Sequence, residues 1–464
     1  MKNKYKNLVK DTLIYAIGGI GSKMILFFLV PLYTNFLSTE EYGIADLVFT
    51  ISQLIVPIVG VVIWDAVVRF ALSKAEIKEN VLLCSMIVWG VASVITVALT
   101  PLLGLYEPIA EWKWYLSVYV ILNVFNSIEL NYIKAKEQNK LYAIISIIQT
   151  LSMALTNILL IVVIPMGVKG YIIANIIGTL VSALGIFIFG RIYRDIRNSK
   201  YSSDLMKRML AFSVPLILNN LSWWAIYSAN KIVVEVVVGA SLLGIYTVAT
   251  KIPSFINVLI SIFQQSWTIS SVKEVESSND TDFYSNVFDV VCFVAFGMSF
   301  GVIFVIKPFM TLYVGSEFVD AWKYVPLLLV GASFSAISSY FVTLYSALKK
   351  SLNNMISTLI PAIINIFITV LLVSSIGIWA AVIGTFVSYF IMALIRMIDV
   401  TRYIKIKINK TNLIINSVLL IVDAVLVSLQ INIFLVSSLA LLLFVFINLK
   451  YIKKIICVIF KKKI

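Results

Sequence analysis

Apolar runs of membrane-spanning length recur from one end of this 464-residue chain to the other. A helix crossing the hydrocarbon core needs roughly 20 largely apolar residues, and about fourteen segments meet that requirement. They fall at 11–33, 44–66, 81–103, 114–134, 141–164, 170–190, 210–234, 244–267, 286–307, 324–347, 354–375, 377–399, 411–429 and 431–449. The loops between them are short. The longest, around 191–209, 268–285 and 308–323, leave no room for a folded domain outside the membrane. With this pattern the backbone can be satisfied in lipid as a bundle of helices, so the expected fold is an all-α polytopic membrane protein. Composition agrees: 61% of residues are hydrophobic and 13% charged, against roughly half and a quarter in a soluble domain. That argues against a cytosolic enzyme, a disordered chain and a nucleic-acid-binding module.

The chain has no histidine, which removes His bases, His metal ligands and His-dependent nucleophiles. Cys84, Cys292 and Cys457 lie far apart and form no CxxC, so they read as small buried apolar residues. No metal site and no catalytic residue is expected. The formal charge of +14 reads as orientation. About thirty of the 37 lysines and arginines fall at alternate loop ends, and this puts both termini in the cytoplasm by the positive-inside rule. The opposite ends hold Lys113, Lys169, Lys307 and Lys323, with Trp112, Trp114, Trp322 and Trp379 as an interfacial aromatic belt. The N-terminal run contains Lys23 and lacks a small-x-small cleavage site, so it reads as a retained first membrane helix.

The two halves repeat. Phe36-Leu-Ser-Thr-Glu-Glu-Tyr-Gly43-Ile44 matches Val237-Val-Gly-Ala-Ser-Leu-Leu-Gly244-Ile245, and Gly167-Val-Lys-Gly-Tyr171 matches Gly377-Ile-Trp-Ala-Ala381. Residues 1–200 form one six-helix lobe, 201–405 a second, and 406–464 two further helices with a basic cytoplasmic tail. Six is even, so the lobes are expected to be parallel, about an axis along the membrane normal, and to alternate the opening of a central cavity.

Four stretches resemble the polysaccharide-transporter branch of the multidrug/oligosaccharidyl-lipid/polysaccharide exporter superfamily, in particular Wzx-type flippases of O-antigen or capsule repeat units. They are Pro31-Leu-Tyr-Thr with Leu37-Ser-Thr-Glu-Glu-Tyr-Gly43; Asp65-Ala-Val-Val-Arg69-Phe70; Ser213-Val-Pro215 with Gly244-Ile-Tyr246-Thr-Val-Ala249-Thr-Lys251; and Asn365 with Gly377-Ile-Trp-Ala-Ala. One departure stands out. Members often carry an Asp-Arg or Asp-Lys pair where this chain reads Asn230-Lys231. The resemblance implies a fold like that of the multidrug exporters of that superfamily, and transfer of an undecaprenyl-pyrophosphate-linked oligosaccharide from the inner to the outer leaflet of the cell membrane. It further implies membrane lipids, a polysaccharide polymerase and a chain-length regulator as partners, no nucleic acid, and no cofactor beyond an H+ or Na+ gradient.

Ionisable groups inside a bilayer are expensive and face a wet cavity or a partner. Lys23, roughly 18 Å along the helix from Asp11 at 1.5 Å per residue, is the expected central cation for pyrophosphate. Trp224 is its counterpart in the repeat. Arg69 is read either as an inner clamp or as a surface residue paired to Asp65. Lys231, near the outer end of its helix and four residues before Glu235, is read either as a surface pair with it or, with Lys251, as the outward extension of a ladder of cations. Asp65, Glu129, Asp289 and Asp423 are the candidate charge partners or ion carriers. Gln264, Gln265 and Trp267 read as helix–helix glue or sugar contacts. Alternatives of the same type are a teichoic-acid or lipid II flippase and a multidrug antiporter; a membrane polysaccharide polymerase is the alternative from another class. The short loops and missing histidine disfavour the polymerase, and with no Walker A motif in the chain an ion gradient or product consumption is the expected energy source.

Overall fold

The computed structural model describes residues 21, 24–73, 76–277, 281–348 and 350–451. Among them every regular element is a helix. Eleven are long and apolar enough to cross a membrane, and Met24–Phe36 and Ile433–Ile447 are shorter apolar helices. The first expected span, 11–33, falls mostly outside the described residues, and the span 244–267 lies within a helix of 38 residues. Contacts divide the chain into two compact units, Met1–Trp224 and Ala225–Ile464.

The first unit comprises α1 (Met24–Phe36), α2 (Thr39–Val59), α3 (Ile63–Ala71), α4 (Lys78–Leu103), the single turn α5 (Glu107–Ala110), α6 (Lys113–Ala135), α7 (Asn139–Asn157), α8 (Gly167–Phe189), α9 (Ile192–Asn198) and most of α10 (Ser203–Tyr227). The second holds α11 (Ala229–Val238), α12 (Ala240–Ser277), α13 (Thr281–Tyr313), α14 (Val325–Ala347), α15 (Ser351–Ile376), α16 (Ile378–Val400), α17 (Lys410–Ser428) and α18 (Ile433–Ile447). Its spine is α14, buried along most of its length.

The repeat is visible in the local backbone. α2 starts at Thr39 and α12 at Ala240, the spacing of the sequence match. Gly167 and Gly377, which open the second match, both adopt left-handed φ, +55° and +57°, as the turn into α8 and α16 requires.

Two expected helices are broken. The span 44–66 is interrupted at Gly60-Val61-Val62, where Val61 and Val62 have φ of 52° and 50°. Successive β-branched residues in the left-handed region are a genuine outlier. Pro57 sits inside the last turn of α2, and its missing N–H weakens the ladder just before the break. The span 210–234 is interrupted at Ser228, between α10 and α11. There a side chain replaces the helical donor: the Asn365 amide donates to the carbonyls of Ala225 (3.4 Å) and Ile226 (3.2 Å).

Candidate functional site

Each unit has a cavity beside its broken helix, with polar side chains in its wall. In the second unit the cavity, of about 210 Å³, is lined by Lys231 of α11, Lys251 and Asn257 of α12, and the rings of Tyr227, Tyr246 and Tyr389. Lys231 lies on α11, just after the break at Ser228 and next to Asn230. The Asn230 carboxamide is 1% exposed. It donates to Asn365 Oδ1 (3.0 Å), Thr385 Oγ1 (3.0 Å) and the Ala381 carbonyl (3.2 Å), and accepts from Thr369 Oγ1 (3.0 Å). Tyr246 bonds to both Thr385 and Asn230 through its hydroxyl. An aspartate at 230 has no N–H to offer Asn365 Oδ1 or the Ala381 carbonyl, so the surroundings suit an asparagine here. Tyr227 and Tyr389 lie 6.0 Å apart, centroid to centroid.

In the first unit the cavity measures about 240 Å³ and lies among α2, α3, α6 and α10. Every described residue lining it is uncharged, with Trp64, Tyr119, Asn123 and Asn220 among them.

The remaining sequence-selected residues are dispersed. Lys23 lies outside the described residues. Arg69 is exposed, with its guanidinium carbon 4.2 Å from the Phe212 ring centroid; Asp65, also exposed, makes no ion pair with it among the described residues. Trp224 donates its indole N–H to the Thr50 carbonyl at 2.9 Å. Glu129 and Asp423 are 0% and 1% exposed, and no hydrogen bond reaches either carboxyl among the described residues. Asp289 accepts from the Tyr451 hydroxyl at 3.2 Å. Gln264 and Trp267 donate to the Ser339 and Tyr340 carbonyls of α14, so they tie helices together as glue; the Gln265 side chain is not among those described. Trp322 is buried under Lys307 and does not join an interfacial belt. The structure thus brings Lys231 and Lys251 together in one cavity, whereas Asp289, Asp423 and Glu129 line neither cavity.

The family model for polysaccharide biosynthesis proteins matches residues 8–268, more than half of the chain. The chain belongs to the polysaccharide biosynthesis protein family. A curated relative, the Lsg locus putative protein 1 of Haemophilus influenzae, is 22% identical over 264 residues, 55% of this chain and 64% of that protein. The chain therefore spans less than two thirds of the length of that relative. Among solved structures, an inward-facing multidrug resistance MATE family transporter of the MOP superfamily superposes with a TM-score of 0.70 at 15% identity, covering 83% of this chain and 94% of the other. The lipid II flippase MurJ, in an inward closed conformation, gives a TM-score of 0.69 at 16% identity, covering 96% of this chain and 100% of the other. The fold is that of the MOP-superfamily transporters.

Within this polysaccharide biosynthesis family member, the stretch around 31–43 builds the first unit. Ser38 and Glu41 form a reciprocal capping box at the start of α2 (Ser38 N to Glu41 Oε2 2.9 Å, Glu41 N to Ser38 Oγ 3.2 Å). Tyr33, Tyr42 and Tyr171 pack ring against ring, with Tyr33 and Tyr171 at 4.8 Å. These residues shape the bundle and line neither cavity.

Sequence reasoning missed Arg396. It counts as a loop cation near a helix end, yet it is 0% exposed. Its guanidinium donates to Ser357 Oγ (3.1 Å), Ser338 Oγ (2.8 Å), Asn354 Oδ1 (3.1 Å) and Thr358 Oγ1 (2.7 Å). The hydroxyls at 357 and 358 and Ser338 were the available signal, since a buried arginine needs many acceptors.

Proposed function

We propose that this chain is a flippase that carries a lipid-linked oligosaccharide, joined through pyrophosphate to a polyprenyl such as undecaprenol, from the cytoplasmic to the outer leaflet of the cell membrane for O-antigen or capsule export. Both termini lie in the cytoplasm and the transport runs by alternating access. One observation carries the reading: in a polysaccharide biosynthesis family member, Lys231 and Lys251 line a single cavity with three tyrosines in the second unit. A pair of ammonium groups suits the two phosphates of such a lipid, because charge-assisted hydrogen bonds to phosphate are short and strong, and lysine meets phosphate as a compact point charge. The tyrosine hydroxyls add donors and the rings exclude water. In this reading Lys23 and Arg69 supplement the cationic path and Trp224 holds its place beside α2. Asp65 and Asp289 balance nearby cations. Glu129 and Asp423, buried without hydrogen-bond partners among the described residues, carry the coupling proton or sodium ion. A polymerase and a chain-length regulator take up the product.

The test replaces both lysines, Lys231→Ala with Lys251→Ala, in a strain lacking the native gene. Surface polysaccharide is expected to disappear while lipid-linked repeat units accumulate on the inner leaflet and the protein remains inserted at normal level. Normal surface polysaccharide in that strain would overturn the reading.

A further inference from the structure

The first-unit cavity has a chemistry that the pyrophosphate reading does not use. Among the described residues its lining carries no charge to attract an anion. It does offer a ring and a set of unspent hydrogen-bonding groups. Trp64 is half-buried at its edge, and among the described residues its indole N–H has no hydrogen-bond partner. The indoles of Trp89, Trp224 and Trp267 instead donate to backbone carbonyls. Asn220 donates to the Leu216 carbonyl at 3.0 Å, leaving its Oδ1 without a donor among the described residues. Asn123 donates one N–H to the Tyr119 hydroxyl at 3.3 Å, and its amide carries a second.

The backbone has been bent to present that ring. Trp64 follows directly on the left-handed pair Val61 and Val62. A Cβ at Gly60 would meet the Trp64 ring at 2.9 Å, so Gly60 leaves the space the indole occupies. Left-handed backbone at non-glycine residues is strained, and such strain gathers at functional sites. Here its effect is to turn a tryptophan out of helix register and into a polar cavity.

An aromatic face with an indole donor, a carboxamide acceptor, carboxamide donors and no charge is the complement of an uncharged sugar ring. Sugars present C–H faces for stacking and paired hydroxyls that both donate and accept. Pockets of this kind combine an apolar or aromatic wall with a few placed polar groups. We propose that the first-unit cavity is a saccharide subsite that takes a neutral sugar ring on Trp64, with Asn123 and Asn220 bonding its hydroxyls. The inference rests on the flippase reading for its source, since the sugar would be that of the carried lipid, but its test does not depend on the lysines.

Wild-type protein in lipid nanodiscs is titrated with chitotriose and maltotriose, and saturation-transfer NMR reports binding. Inorganic pyrophosphate is titrated separately. The wild type is expected to bind at least one of the two trisaccharides. Trp64→Ala and Asn123→Ala should each weaken that binding at least ten-fold, and Trp64→Phe, which keeps a ring and removes the N–H, about five-fold for one lost hydrogen bond. All three should leave pyrophosphate binding unchanged, which also shows that they fold. The Lys231→Ala/Lys251→Ala protein should show the reverse pattern. Failure of both trisaccharides to bind, or binding undiminished in Trp64→Ala and Asn123→Ala, overturns the subsite. Loss of pyrophosphate binding from the wild type alone would strike the flippase reading and leave the subsite standing.

Discussion

The two cavities occupy the same wall of a duplicated unit and differ in almost everything else. Ser52, Gln53 and Val56 of α2 line the first; Pro253, Ser254 and Asn257 of α12, at the repeat spacing of α2, line the second. In the first unit the break follows this helix, at Gly60–Val62, and delivers a tryptophan. In the second unit α12 runs on unbroken and the break precedes it, at Ser228, delivering a lysine. Among the described residues one cavity is lined without charge and the other by two lysines. Residues at the same spacing thus line a cavity in both units, and the helix break lies on opposite sides of that wall.

The largest effect that would break this contrast is at the lysines. Each charge-assisted hydrogen bond contributes about 1.5–3 kcal/mol, so the Lys231→Ala/Lys251→Ala protein should lose pyrophosphate affinity by roughly a hundred-fold or more. An equal loss of trisaccharide binding in the same protein would mean that the cavities are not chemically separate. Next comes Asn230→Asp, which places an acid inside the amide network. It leaves buried acceptors facing a carboxylate, and a buried uncompensated charge costs about 3–5 kcal/mol. Thermal unfolding in detergent should show a clear fall in Tm, with trisaccharide binding in the surviving folded fraction unaffected. A Tm equal to wild type would show that the amide network does not set the break. Gly60→Ala is the first-unit counterpart. Overpacking of this kind costs about 1–3 kcal/mol, and the added methyl meets both Trp64 and the Val56 carbonyl at 2.9 Å; trisaccharide binding should fall while pyrophosphate binding holds. The smallest effect belongs to Val61→Gly. Relief of left-handed strain offsets glycine's backbone entropy, so stability should stay within about 1 kcal/mol of wild type. A larger loss would mean that the valine side chain, not the backbone, holds the elbow.

Much of the helical layout was legible because apolar length and short loops leave little choice. The sequence match also picked out Gly167 and Gly377, which share a positive φ. The helix breaks were not legible. Gly60-Val61-Val62 reads as uninterrupted apolar helix, since valine carries no signal of left-handed backbone, and Ser228 is broken by an asparagine 137 positions later in the chain. The capping box at Ser38-Thr-Glu-Glu41 was available as a local helix start but was read only as part of a family motif. Lys231 and Lys251 were selected for their intramembrane position, and they share a cavity. Trp64 was missed because a tryptophan in an apolar run looks like core until its unspent N–H is seen beside polar groups.

Arg396 bears on how the second unit is made. An arginine in a membrane helix costs up to about 2.5–3.5 kcal/mol to insert by itself, the full figure applying at the helix centre. Arg396, four residues from the end of α16, is nonetheless fully buried. Every side-chain partner named for it, Ser338 on α14 and Asn354, Ser357 and Thr358 on α15, lies earlier in the chain. When α16 leaves the ribosome, its acceptors have already been synthesised and can wait in the bilayer. The arginine is therefore received, not tolerated: α14 and α15 provide a prepared berth, and the order of synthesis matches the order in which the charge can be sheltered.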